Sequence, residues 1–439
     1  MTGSLYDSPL FSGLFPTAEM RRLFSDSAAI RAMLLVEGAL AKVQGELGVI
    51  PELSAAAIHR ASLEIQIDPG ALAKATAQNG VPIPALVAAF RAEMSAPEHA
   101  QYVHWGATSQ DIMDTGLMLR LRQGLALLEA DLKTVLRHLA DMSETYADTP
   151  MIARTWGQHA TPTSFGAVVA AWGAPLLDLL AELPEMRKRS LLVSLSGATG
   201  TASALGLNAP EQRLALAGAL GLGDPQRSWH TDRAPVLALS GWMTRCVVAL
   251  GKMAEDVIAM AQSDVSEVMP GASGASSTMP QKQNPVGASV IASLSQQVSA
   301  ANGVLHGASV HRFQRDGAAW FTEWAVLPQI VLGTAAALNQ AVTLSESLRP
   351  NEARMGRALD AELGLIFAES LSFALAKTMP RPDAQAAVKA LCATAIAEQV
   401  ALKDLALAAY PHLDTDVFAP EKSLGQAPAD ARAFAARCR

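Results

Sequence analysis

The stretch from Gly271 to Ser289, GASGASSTMPQKQNPVGAS, gathers two adjacent hydroxyls (Ser276 and Ser277), one cation (Lys282) and the amide of Asn284 directly ahead of Pro285. Small residues let the backbone fold closely round a ligand. A cation, hydroxyls and a helix start after Asn-Pro are the groups that hold an anion and move a proton. Two other stretches share this design. In YVHWGATSQDIMDTG, Thr108 and Asp111 fit a capping-box-like pattern ahead of a Leu-rich helix, and Ser109 stands in the first turn beside free N–H groups. In RTWGQHATPTSFG, Thr161 is expected to cap a helix and Pro162 to take its first position, with His159 just before. An imidazole with an ordinary pKa of about 6.5 suits proton transfer at neutral pH. Ordinary capping explains any one of these starts. All of them together, with their hydroxyls, amides, histidine and lysine, suit a small polycarboxylate if they converge, and spacing alone does not say that they do.

Other chemistries fit less well. No glycine directly precedes Lys282, so the loop is not a phosphate-binding P-loop, and Met279 stands where an S-x-x-K nucleophile motif starting at Ser276 would need lysine. His104, His159, His230 and His311 lack ligand spacing on a shared helix face, so no metal and no other cofactor is expected. Cys246, Cys392 and Cys438 are widely spaced without a CxxC pattern, which points to a reducing cytoplasm, and the N-terminal stretch does not read as a signal peptide. The net charge is −7 with no basic cluster interleaved with aromatics, so a nucleic-acid partner is not expected. An anionic substrate must then be drawn by local cations: Lys282, Arg315, Arg154 and Arg233, the last two reading equally well as structural ion-pair partners.

Helices must position these groups. Leu117, Leu121, Leu125, Leu128, Leu132, Leu136 and Leu139 recur at helical spacing, and 165–183 and 236–260 behave similarly. Half of the 439 residues are hydrophobic, enough for a large core. The uncharged runs 283–310 and 324–345 carry Ser, Gln, Asn or Thr, and the second carries Pro328, so they read as helices inside a bundle and not as membrane spans. One chain can hardly cover such helices, so homo-oligomerisation is expected. Boundaries fall before Tyr102 and at Arg349-Pro350-Asn351.

Taken together, GASSTMPQKQNP, GATSQD and TWGQHATP, in this order, resemble the fumarase/aspartase superfamily, which includes adenylosuccinate and argininosuccinate lyases. The resemblance covers essentially the whole chain. It implies an all-α fold of three helical domains, 1–111, 112–349 (a long-helix bundle with the signature loop 271–285) and 350–439. It also implies a homotetramer around a central helical bundle, with active sites assembled from several subunits. By position, Ser276 matches the loop serine used as general base, with Ser277 beside it, and Lys282 and Asn284 match substrate-holding residues. His159 matches an acid–base histidine, while Thr108 and Ser109 match carboxylate-binding positions. His104, Gln158 and Thr161 fall in the same substrate-binding stretches, and Arg315 in HRFQRDGAAW resembles a substrate-binding arginine region.

The departures narrow the branch. Ser12-Gly13-Leu14-Phe15 and Ile83-Pro84 stand where nucleotide-cleaving members show Arg-Tyr and His-Asp pairs, and Trp156 replaces a second histidine. Ser289 stands where many family lyases place a glutamate that supports the active-site histidine. This pattern resembles a ring-closing branch of the superfamily, and the resemblance implies addition of a substrate carboxylate across a C=C bond of the same molecule. His159 is the leading proton donor in that reading and Ser276 or Ser277 the competing one. A fumarate-releasing lyase with Ser276 as base is the alternative, and a non-catalytic structural protein on the same fold the remote one.

Overall fold

The computed structural model describes residues 4–271, 274–275, 278–279 and 282–439. It is built almost wholly from helices. Helix α1 (Asp26–Glu46) starts at Ser25, whose Oγ accepts from the Ala28 N–H at 3.2 Å. Helix α2 (Glu52–Glu64) follows, and α3 (Ile83–Glu93) buries Ile83, Leu86, Val87 and Phe90, one stripe at helical spacing. Helix α4 (Ser109–Thr145) carries the leucine stripe, and Leu121, Leu125, Leu128, Leu132, Leu136 and Leu139 are all buried. The other long helices are α5 (Phe165–Ser190), α6 (Ala234–Met260), α7 (Val286–Ala308) and α8 (Gly317–Ser347).

Contacts divide the chain into two compact units, and each is discontinuous in sequence. The first comprises Met1–Asp131, Leu179–Val248 and Ser293–Gln340. Its core joins α1, α2, α3 and the first turn of α4 to a segment after α5, through Leu34, Leu40, Ile58, Phe90, Ile112, Val193 and Leu216. The second comprises Leu132–Asp178, Ala249–Ala292 and Ala341–Arg439, around Ile152, Leu359, Phe367, Leu371, Val388, Leu402 and Phe418.

The second unit holds short antiparallel pairs: β1 (Pro150–Thr155) with β2 (Gln158–Ser164), β3 (Val268–Met269) with β6 (Arg349–Pro350), and β4 (Gly274–Ala275) with β5 (Gln283–Asn284). The first pair corrects the expectation for Thr161 and Pro162, which lie inside a strand and start no helix. Trp156 and Gly157 both adopt positive φ, 57° and 74°, as a two-residue hairpin turn of matching twist requires, and this turn sets Pro162 opposite Ile152. The helix start falls two residues past Pro162, where Ser164 Oγ accepts from Ala167 N–H at 3.2 Å ahead of α5. A smaller correction applies at Asn284. It pairs with Gly274 in β5, and Pro285 takes the capping place, its carbonyl accepting from Ser289 N–H at 2.9 Å.

Helices α5, α6 and α8 are long and apolar enough to cross a membrane by length and composition, yet 44%, 56% and 61% of their most apolar windows are buried within this single chain. Their polar groups also find protein partners. Ser240 Oγ donates to Asn302 Oδ1 at 2.9 Å, and Asn339 Nδ2 donates to Asp131 Oδ2 at 2.8 Å.

Candidate active site

In the first unit, the site is organised by the start of α4. The Asp half of the expected capping box forms: Thr108 N–H donates to Asp111 Oδ2 at 3.1 Å, and Asp111 N–H donates to the Thr108 carbonyl at 3.0 Å. Asp111 is wholly buried, and a buried carboxylate must be saturated with donors. Beyond Thr108 it receives Ser194 Oγ at 3.0 Å, Ser196 N–H and Gly197 N–H at 2.9 Å each, and His230 Nε2 at 2.8 Å. One side chain thereby fixes the 194–197 segment against the helix start.

Arg315 joins the same cluster. Its Nε donates to Gln110 Oε1 at 2.8 Å and its Nη2 to the Ala198 carbonyl at 3.2 Å. Gln110 is itself buried and held by Asp114 at 3.1 Å and by the His230 carbonyl at 2.8 Å. Thr108, Ser109 and Arg315 are half-buried, so they line a surface and are not lost in the core. The hydroxyls of Thr108 and Ser109 make no hydrogen bond among the described residues, and the first N–H groups of α4 lie beside them. An arginine and a helix N-terminus with two hydroxyls form a carboxylate-binding surface.

His104 stands just ahead. Its Nδ1 lies 2.6 Å from Oε1 of the buried Glu37 on α1. Burial alone would lower the imidazole pKa, but Glu37, with Asp111 further off, overcomes that and the opposing Arg91 and raises it above the ordinary histidine value.

Two of the four candidate cations are structural. Arg233 is fully buried between Asp114, at 2.8 and 3.0 Å, and Glu323, at 2.9 and 2.6 Å. In the second unit, Arg154 grips the buried Glu267 with two bonds of 2.8 Å. Neither guanidinium is left to receive a substrate.

The hairpin of the second unit carries Gln158 and His159 exposed and Thr161 half-buried on β2. The register shifts between Ile152 and Arg154, a bulge of the kind that re-aims a side chain, here Arg154. Its partner Glu267 stands directly before β3, so the hairpin and the root of the signature loop share one anchor. Gly271 follows at φ 68°; a Cβ there would sit 2.4 Å from the Ser347 Cβ, so only glycine fits. The β4–β5 ladder closes the neck of the loop. Lys282 is exposed beyond it, its N–H donating to the Met279 carbonyl at 3.0 Å, and Asn284 is half-buried. Ser276 and Ser277 lie outside the described residues. The Ser289 hydroxyl donates back to the Pro285 carbonyl at 3.0 Å, so the first turn of α7 offers no carboxylate at that position.

The structure thus gathers His104, Thr108, Ser109 and Arg315 round one helix start, and Gln158, His159, Thr161, Lys282 and Asn284 on the hairpin and loop of the second unit. Sequence reasoning missed Glu37 and the 194–202 segment. The signal for the latter was its run of small residues and hydroxyls, SLSGATGTA, in which Gly197, Gly200 and Ala202 take positive φ of 71°, 83° and 55°. A cavity of about 550 Å³ opens along that segment, lined by Ser196, Thr201, Ser203, Arg213 and Arg227. A larger one, about 630 Å³, lies lower on α4 among Met33, Leu72, Met113, Leu117 and Trp324; it is mainly apolar, and the Asp114 and Glu323 on its wall are held by Arg233.

Comparisons with known proteins bear on these groups. A model of the lyase family matches residues 15–300. The chain is 39% identical over 399 residues to a 3-carboxy-cis,cis-muconate cycloisomerase of Pseudomonas aeruginosa, covering 90% of this chain and 87% of that protein. It is 38% identical over 418 residues to one of Pseudomonas putida, covering 94% and 99%. The crystal structure of a 3-carboxy-cis,cis-muconate lactonizing enzyme from Pseudomonas putida matches with a TM-score of 0.90 at 35% identity, over 98% of this chain and 99% of that one.

Proposed function

The chain belongs to the lyase family, within the fumarase/aspartase superfamily, and from that membership we propose that it is a cycloisomerase converting 3-carboxy-cis,cis-muconate to 4-carboxymuconolactone, a step in aromatic degradation. The near-full-length likeness to enzymes of that activity carries the reading, and Ser289 agrees with it: the glutamate of eliminating members is replaced by a hydroxyl turned into its own helix.

In this reaction a carboxylate oxygen of the substrate adds to a C=C bond of the same molecule. The π electrons move to the neighbouring carbon and spread into another carboxylate as an enediolate. That carbon then takes one proton, so the trianion becomes a lactone dianion. Because the nucleophile belongs to the substrate, the protein has to fold the substrate, hold the developing charge and deliver the proton. Thr108, Ser109 and the first turn of α4 hold one carboxylate, with Arg315 beside them. Lys282, Asn284 and the start of α7 hold the enediolate. His159 delivers the proton from the hairpin, with Gln158 and Thr161 contacting substrate; Ser276 and Ser277 are the competing proton carriers.

Exposed apolar side chains support a reading in which subunits associate. Trp156 is fully exposed at the hairpin tip, and Leu207, Val310 and Phe313 are also bare, apolar surface of a kind that other subunits cover. We read α5, α6 and α8 as bundle helices of a homotetramer whose active sites take groups from several subunits, each built from domains 1–111, 112–349 and 350–439, in a cytoplasmic enzyme without membrane or nucleic-acid partner. Loss of the diene absorbance of 3-carboxy-cis,cis-muconate in the presence of the purified protein tests the function.

A further inference from the structure

A buried carboxylate is costly to keep charged unless a cation or several donors meet it. Glu37 is such a group: it is 2% exposed, and its Oε2 is buried with no hydrogen-bond partner. Its one polar contact among the described residues is Oε1 to His104 Nδ1, at 2.6 Å. The imidazole is therefore what neutralises Glu37. His104 is also held in an uncommon backbone conformation, φ 65°, which a non-glycine residue keeps only where the surroundings impose it. Its side chain is 20% exposed, and no partner for Nε2 is found among the described residues, so one N–H of the ring is engaged and the other is free.

We propose that Glu37 is a positioning residue that keeps His104 as a standing imidazolium, and that the free Nε2–H of this imidazolium binds one carboxylate of the substrate at the start of α4. This rests on the functional reading above and deepens it. The charged groups that face the ring are Glu37 from α1, Asp111 from α4 and Arg91 from α3; the carboxylates favour the cation and the arginine opposes it. A ring whose pKa is raised in this way holds its proton more firmly than an ordinary imidazole. It suits holding an anion throughout turnover better than releasing a proton in every cycle, which leaves proton delivery to another group. With Arg315 it supplies a second cation for a polycarboxylate in the first unit, in a protein whose net charge of −7 gives no help from a distance.

The test uses the full-length protein with histidine side chains isotopically labelled, the His104 signal being the one lost in His104→Gln. In the wild type, His104 titrates above the ordinary value of about 6.5, and in Glu37→Gln its midpoint falls by about one unit or more. Propane-1,2,3-tricarboxylate, an unreactive probe, shifts the His104 signal in the wild type and does so at least about tenfold more weakly in the variant at pH 8. In turnover of the muconate, Glu37→Gln raises KM about tenfold above pH 7 and leaves kcat within about threefold. A wild-type midpoint at or below the ordinary value, a probe that leaves His104 unmoved, or a kcat loss at unchanged KM overturns the proposal. If Glu37→Gln does not fold, the wild-type midpoint and probe response still decide, and Glu37→Asp, which keeps the charge, should keep the midpoint raised above the ordinary value. Failure of the functional reading looks different: the muconate is not turned over, while the probe still shifts His104.

Discussion

Arg154 and Glu267 join the β1–β2 hairpin to the root of the signature loop through two bonds of 2.8 Å, with Glu267 fully buried and Arg154 about a quarter exposed. The pair fixes where His159 and the loop begin relative to one another within the second unit. Arg154→Met leaves a buried carboxylate unpaired and should cost roughly 3 kcal/mol of stability, at the low end for buried pairs because the arginine is partly solvated. Urea unfolding measures it. A loss under about 0.5 kcal/mol would mean that the pair is not an anchor.

Asp111 is the corresponding anchor in the first unit. It collects donors from Thr108, Ser194, Ser196, Gly197 and His230 with no exposed surface. In Asp111→Asn, an NH2 group faces some of those donors, so stability should fall by about 2–4 kcal/mol and activity should fall with it. Denaturation midpoints and turnover on the same preparation check this. A variant as stable as the wild type contradicts it.

Lys282 is the opposite case, because its side chain is exposed and no hydrogen bond or ion pair of its amine is found among the described residues. Lys282→Met should leave stability within about 0.5 kcal/mol and lower turnover by about 10²–10³, the loss expected of a donor to a developing oxyanion. Near-normal turnover would remove the loop from the mechanism.

How far these groups were legible in the sequence depends on distance along the chain. The leucine stripe of α4 was readable because helical spacing is local, and every member from Leu121 to Leu139 is buried. The Asp111 half of the capping box was readable for the same reason. The hairpin was not: Thr161-Pro162 satisfies the local rule for a helix start, and only pairing with β1 makes it strand. Glu37 was invisible because its partner lies 67 residues away and a lone glutamate in an apolar helix reads as surface. Arg154 and Arg233 read equally as anion sites or ion-pair partners until Glu267, Asp114 and Glu323 were found beside them.

The raised pKa of His104 sets the sign of a pH effect on stability. The pair with Glu37 contributes fully below the ordinary histidine value, about 6.5, and that contribution is lost as pH rises through the raised folded-state value. The stability difference between wild type and His104→Gln should therefore be larger at pH 6 than at pH 9. Equal differences at both, by urea unfolding, contradict a raised value.

The central claim is ring closure of a muconate. The most direct measurement mixes the purified full-length protein with 3-carboxy-cis,cis-muconate, follows the diene absorbance and identifies the product by NMR. Catalytic loss of the diene with appearance of 4-carboxymuconolactone is the predicted result. An unchanged diene, with fumarate released from adenylosuccinate or argininosuccinate instead, would contradict it.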